Sequence, residues 1–375
     1  MDNKLFEQGR ILPQVSLAAA LEYQNHMEPM RQQVDRALSE QPNIMSLIGR
    51  SPLEIMKANH RYHVQFMATV FRLKAYNLLP RIMVWVYRSY HSHGFSYDYF
   101  PIELAAWQKS VSARLRPEAA AEVNRIYQWM IDRHPDVIAL AESDAYATFF
   151  AGFDAQKKMQ ILLTHMLDNN YRPCVELAVE SVHSAEDLAG FYQEVMTPAL
   201  YELGRLWEEG QISAVQEHMA TAISMRIMAA MYGGFVLGDS TKGKAVVTAA
   251  PNEYHEVGAR MVSDQLEMDG WEVDYLGANS PAVDLLTLLR QDPPFLLGLS
   301  VVMPFNSEEV RRIIESIRQD AKLQTLRIMV GGPVFALEPE LWRKIGADGY
   351  AADGRQAVQL ARKWWEEKRS EDGRQ

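Results

Sequence analysis

Beyond Gly243 the chain alternates short, unbroken apolar runs with longer stretches whose apolar positions recur every three to four residues. The segments at 244–250, 272–276, 295–302 and 327–330 read as buried-type strands, Val and Leu recurring in the first and third. A shorter fifth run lies at 348–352. Helical periodicity predicts helices over 256–269, 281–291, 307–320, 339–345 and 356–367, the first closed by Gly270. Strictly alternating strands and helices predict a doubly wound parallel sheet over 243–367. Everything before residue 236 has a helical pattern. The expected fold class is therefore α plus α/β. A helical module over 1–150 leads into a four-helix-bundle cap over 151–236. A flavodoxin-like or Rossmann-like domain follows over 243–367, and 368–375 forms a disordered, solvated tail. Residues 237–243 are a linker by their turn-forming composition.

Local signals divide the helical part. In the cap, Pro198 suits a first helical turn and Gly210 a C′ position. Ser213-Ala-Val-Gln216 is a capping-box pattern for the next helix, which should stop at Gly233-Gly234. In the module, Pro80 and Pro117 read as helix starts and Gly94 as a helix end. Ile55, Ala58, Tyr62, Phe66, Thr69 and Val70 form a stripe of helical period that should face a bundle core.

His255 falls in the first strand-to-helix loop, at the carboxyl edge of the predicted sheet, where open α/β sheets bind ligands. Neutral imidazole is a common transition-metal ligand, and Glu253, two residues away, can orient its second nitrogen. An ordinary loop histidine on a flavodoxin-like domain is the competing reading. Ser300 stands in a later strand, 45 positions on, and Gly331-Gly332 begins 76 positions on. Glu253-x-His255-x-x-Gly258, then Ser300, then Gly331-Gly332, resembles the cobalamin-binding domain shared by methionine synthase, cobalamin mutases and cobalamin light sensors. The resemblance implies that His255 is the lower axial ligand of cobalt. It also implies that the displaced nucleotide tail threads a slot lined by the strand carrying Ser300 and Val302 and by the Gly331-Gly332 turn.

Upstream, Trp207 is followed ten positions later by Glu217-His218. This spacing resembles the helical cap of the cobalamin light sensors exemplified by MerR-type light-dependent repressors. There the Trp covers the upper face of the cobalt and the Glu contacts an adenosyl group, so adenosylcobalamin is the implied form. An indole is a flat apolar wall and a carboxylate accepts ribose hydroxyls. Core packing of Trp207 and a helix-start preference for Glu217 are the plainer explanations. The residue after Trp207 is Glu208, where those repressors carry a His that captures cobalt after photolysis. A bis-histidine light state through this position is therefore in doubt, with His165 and His218 as conceivable substitutes. A corrinoid carrier of a methyltransferase system is the alternative function. A mutase subunit would need a substrate barrel of roughly 250 residues.

Composition narrows the partners. The chain has 375 residues, 48% hydrophobic and 23% charged, with a net charge of −10, which disfavours nucleic acid. Residues 1–145 hold 16 Lys/Arg against 15 Asp/Glu and no DNA-reading motif. Cys174 is the single cysteine, so neither an intrachain disulfide nor a thiolate metal cluster is available. With no signal-peptide pattern and no apolar run of spanning length, a cytoplasmic location and no membrane partner are expected. His60, His63, Tyr87, Tyr90, Tyr99 and Trp107 belong to an aromatic and histidine-rich stretch that reads either as bundle core and a dimer face or as a second ligand pocket. The domain order resembles photocobilins, which implies noncovalent biliverdin in the module; with no Cys there, a thioether link is excluded. The function implied is a sensor without catalytic residues, signalling through a homo-oligomer or a separate output protein.

Overall fold

The computed structural model describes residues 2–143, 157–236 and 240–372. The predicted junction at 150/151, the first three residues of the expected linker and the last three residues lie outside them. The chain divides into two compact units, one of 1–149 with 208–211, the other of 150–207 with 212–375.

The first unit is helical throughout its described part: α1 (Asp2–Arg10), α2 (Leu17–Asn25), α3 (Met27–Ser39), α4 (Ile44–Ile48), α5 (Leu53–Leu73), α6 (Leu78–Ser92), α7 (Tyr99–Arg114), α8 (Pro117–Asp132) and α9 (His134–Ala141). Helix α5 does not use the predicted stripe along its whole length. Ile55 and Tyr62 are exposed, whereas Met56, His60, Val64, Met67 and Phe71 are buried. In its second half nearly every position is enclosed, so a one-sided stripe misjudges its phase. The turn 208–211 also belongs to this unit. Glu208 is fully buried near Arg88, 3.9 Å away, and Glu209 pairs with the same Arg88 at 2.6 Å. Gly210 has φ +68°, and a Cβ there would lie 2.9 Å from the Ser92 carbonyl oxygen, so the turn needs glycine.

In the second unit the cap comprises α10 (Lys157–Leu167), α11 (Tyr171–Ser181), α12 (Ala185–Phe191), a π-helical turn (Tyr192–Met196), α13 (Thr197–Glu208) and α14 (Ala214–Phe235). The Ser213/Gln216 capping box forms as expected, and α14 runs past Gly233-Gly234. The sheet that follows is parallel, with order β2-β1-β3-β4-β5 for β1 (Lys244–Ala249), β2 (Glu272–Gly277), β3 (Leu296–Ser300), β4 (Arg327–Gly331) and β5 (Gly349–Ala351). Helices α15 (Val257–Met268), α16 (Ala282–Gln291), α17 (Ser307–Gln319), α18 (Pro333–Leu337), α19 (Leu341–Lys344) and α20 (Gly354–Asp372) connect and cover it. This is the expected α/β architecture with the doubly wound strand order. One expectation fails at the end: α20 continues to Asp372, so 368–372 are helical rather than tail. Lys368 lies over the rings of Phe295 and Trp365, which ties the last turns down.

Helix α15 lies between two cores. Its Val257 and Met261 join the cap cluster, and its Ala259 and Leu266 join the sheet cluster. The cap and the sheet thus share one helix, whose first turn follows His255 directly.

Candidate cobalamin site

The strand register gathers the predicted residues at one edge. Ala249 pairs with Ser300 across β1 and β3, and Ser300 pairs with Gly331 across β3 and β4. The loop carrying His255 leaves from this same edge of β1. The order reversal between β1 and β3 opens the crevice in which such sheets hold ligands.

Glu253 is the structural centre of that loop. Its side chain is 1% exposed. Its Oε2 accepts hydrogen bonds from the backbone N–H of Val302 at 2.9 Å, that of Met303 at 2.8 Å and the Asn306 side-chain amide at 3.1 Å. Its Oε1 lies 2.5 Å from His255 Nδ1. Burial alone would raise this carboxyl. The His255 hydrogen bond and charge, with the N–H groups of Met303 and Val302, outweigh burial and hold it below the usual range. Burial likewise disfavours a charged His255, but the hydrogen bond and charge of Glu253, reinforced by Glu217, leave its imidazole above the usual value. A carboxylate that already receives three donors from elsewhere fixes the proton of His255 on Nδ1. The free valence of the imidazole is then Nε2, on a side chain that is 54% exposed.

Among the described residues no group of three or more His, Cys, Asp and Glu side chains could hold a metal ion. The single imidazole oriented by Glu253, with Nε2 on a half-exposed side chain, suits a metal whose other ligands come with a cofactor, as in a corrin. Next to the loop, a Cβ on Gly258 would meet nothing within 4 Å, so that side is open. At the Gly pair the backbone is closed in. Gly332 has φ +117° and ψ 163°, and a Cβ there would lie 2.0 Å from the Val301 carbonyl oxygen. A Cβ on Gly331 would lie 3.1 Å from the Ala351 carbonyl oxygen.

The cap contributes Trp207, at the end of α13 and packed against the cap core, and Glu217, in the first turn of α14. Glu217 accepts a hydrogen bond from Thr221 at 2.9 Å, and its charge is the smallest of the influences that raise the His255 imidazole. His218 is 78% exposed, its Nε2 3.6 Å from Glu217. Val302 enters through its backbone N–H rather than its side chain. Asn306 and Met303 were not foreseen. Asn306 sits 53 positions from Glu253 behind Pro304, and only the fold reveals the pairing. Tyr254 and Asn279, joined at 3.3 Å, brace the outer side of the loop, with the Asn279 N–H donating to the Glu253 carbonyl at 2.9 Å.

The aromatic residues of the module engage one another. His60 is fully buried between Asp35 at 2.7 Å and the Tyr99 hydroxyl at 2.8 Å. His63 stacks on Trp107 and lies 3.2 Å from the Tyr127 hydroxyl; burial pushes its imidazole down to about 4. Tyr87 stacks on Phe100 with ring centroids 3.7 Å apart. These contacts are those of a bundle core.

Two stretches of the chain match known protein families. Residues 243–360 match the family model described as B12 binding domain, and residues 160–232 match a second model of the same description. Dimethylamine corrinoid protein 1 of Methanosarcina mazei is 24% identical over 194 residues, 51% of this chain and 88% of that protein. The HTH-type transcriptional repressor CarH of Myxococcus xanthus is 29% identical over 161 residues, 43% of this chain and 53% of that protein. A solved monomethylamine corrinoid protein of Methanosarcina barkeri aligns at a TM-score of 0.48 and 19% identity, over 55% of this chain and 97% of that one. No described helix is long and apolar enough to cross a membrane. The chain is a cobalamin-binding protein, with a B12-binding helical cap preceding a Rossmann-like B12-binding domain.

Proposed function

We propose that this protein is a cobalamin-dependent light sensor without turnover of its own, holding adenosylcobalamin between His255 and the Trp207/Glu217 cap. When bound, the cofactor supplies the photochemistry, since visible light breaks its cobalt–carbon bond. His255 would offer Nε2 to the cobalt, with Glu253 holding its tautomer and ring plane. Ser300, the backbone at Val302 and the Gly331-Gly332 turn border the slot for the nucleotide tail, with Gly258 on its open side. Trp207 would wall one side of the bound group, Glu217 would accept from an adenosyl ribose, and His218 would sit at the rim. Loss of an adenosyl group would alter the packing of the cap around Trp207 and Glu217, and the change would leave through self-association or a separate output protein. This reading is supported by the Glu253–His255 pair at the carboxyl edge of the sheet, together with the ten-residue spacing from Trp207 to Glu217 in the cap.

A second reading, a corrinoid carrier working with a methyltransferase, is favoured by the dimethylamine corrinoid proteins among the relatives. Upper-ligand selectivity separates the two. The sensor reading predicts tighter binding of adenosylcobalamin than methylcobalamin in the dark. Trp207→Ala should reduce that preference roughly tenfold or more. Equal affinities in wild type and variant, with no change in elution volume after illumination, would favour the carrier. Biliverdin is left out of this reading, because His60, His63, Tyr87, Tyr99 and Trp107 already engage one another or neighbouring core side chains.

A further inference from the structure

A buried polar cross-link joins the cap to α15. The Tyr192 hydroxyl donates to Asp264 Oδ2 at 2.8 Å, and Arg260 Nε donates to Asp264 Oδ1 at 2.9 Å. Tyr192 is 1% exposed and Asp264 is fully buried. The Arg260 guanidinium carbon lies 5.3 Å from the Tyr232 ring centre and 5.2 Å from that of Tyr275. Tyr232 is on α14 in the cap, and Tyr275 is on β2 in the sheet. The arginine therefore stands between one ring from each part, with its charge matched by the aspartate.

The placement of these groups matters for the site. Arg260 and Asp264 lie on the helix that begins two residues after His255. Tyr192 opens the π-helical turn that runs straight into α13, the helix ending at Trp207. A π turn inserts one residue into the helical repeat and re-phases everything beyond it. The aspartate thus ties the helix that follows the His255 loop to the π turn that leads into the helix ending at Trp207.

We propose that Tyr192, Asp264 and Arg260 are positioning residues that set the spacing between the cap wall at Trp207 and the lower ligand at His255, and thereby govern how long cobalamin is retained. None of the three belongs to the residues read as the two faces of the site. Their effect runs through the shared helix α15 and through the π turn. The inference rests on reading Trp207 and His255 as the two faces of the site.

The test uses the full chain and three readouts: hydrogen exchange of the cobalamin-free protein, the visible spectrum with hydroxocobalamin, and the rate at which hydroxocobalamin is released. Tyr192→Phe removes one hydroxyl and keeps the ring. It should raise exchange across 185–208, leave the histidine-ligated spectrum unchanged and speed release roughly tenfold. Asp264→Asn should act in the same direction. Faster exchange without faster release would make the network purely structural and overturn the proposal, as would wild-type values for both. A histidine-free spectrum in Tyr192→Phe would also overturn it, since the network would then serve the lower ligand alone. If wild type itself lacks a histidine-ligated spectrum, the two-faced site is wrong; the exchange experiment then still reports whether the cross-link holds the cap.

Discussion

His255→Ala should bind cobalamin without the histidine-ligated spectrum, with affinity reduced by at least about a hundredfold. The imidazole is the one metal-ligating side chain that the loop presents with a fixed tautomer. Its Nδ1 is committed to Glu253 at 2.5 Å, and Glu253 is in turn committed to Val302, Met303 and Asn306. Glu253→Gln should be milder, about ten- to a hundredfold, because the histidine survives but loses the charge that fixes its ring. It should also cost stability. An amide can keep an oxygen toward two backbone N–H groups, but it then turns an NH2 group toward Nδ1 and forces the other tautomer. Titration of each variant with hydroxocobalamin, followed by absorbance, reads both effects. Wild-type spectra and affinities in His255→Ala would place the lower ligand elsewhere.

Gly332→Ala should destabilise the sheet domain by about 3–5 kcal/mol, with loss of cobalamin binding even where the domain survives. The backbone at Gly332, with φ +117° and ψ 163°, occupies a region open almost solely to glycine. The added Cβ would lie 2.0 Å from the Val301 carbonyl oxygen and 2.7 Å from its carbon. Both are backbone atoms of the segment that hands Val302 to Glu253, so relief of the overlap must disturb the histidine's support. Gly258→Ala is the contrasting variant. Its Cβ meets nothing within 4 Å, so the cofactor-free chain should keep wild-type stability. Chemical denaturation of both variants without cobalamin decides the point. Equal stability of Gly332→Ala and wild type would contradict it.

The sheet was legible because parallel strands covered on both faces are written as unbroken apolar runs, and β1, β3 and β4 are such runs. The histidine loop was legible because strand order places it at the carboxyl edge. What lay beyond the sequence is tertiary. Nothing local marks Asn306 and the Met303 N–H as partners of Glu253, since the pairing appears only when β3 ends beside β1. The π turn at Tyr192–Met196 carries the same residue types as a continuous helix, so its re-phasing of α13 has no periodic trace. In the amino-terminal module, composition could not separate a packed core from a pocket. The hydrogen bonds joining His60 with Asp35 and Tyr99 required side-chain geometry.

The central claim is a histidine-ligated, light-responsive cobalamin between His255 and the Trp207 cap. The most direct measurement is the visible absorbance of the full chain loaded with adenosylcobalamin in the dark and then exposed to green light, alongside chromatography of the same samples. A histidine-ligated dark spectrum that converts on illumination, with a changed elution volume, is the predicted result. A spectrum and elution volume that survive green light unchanged would contradict it.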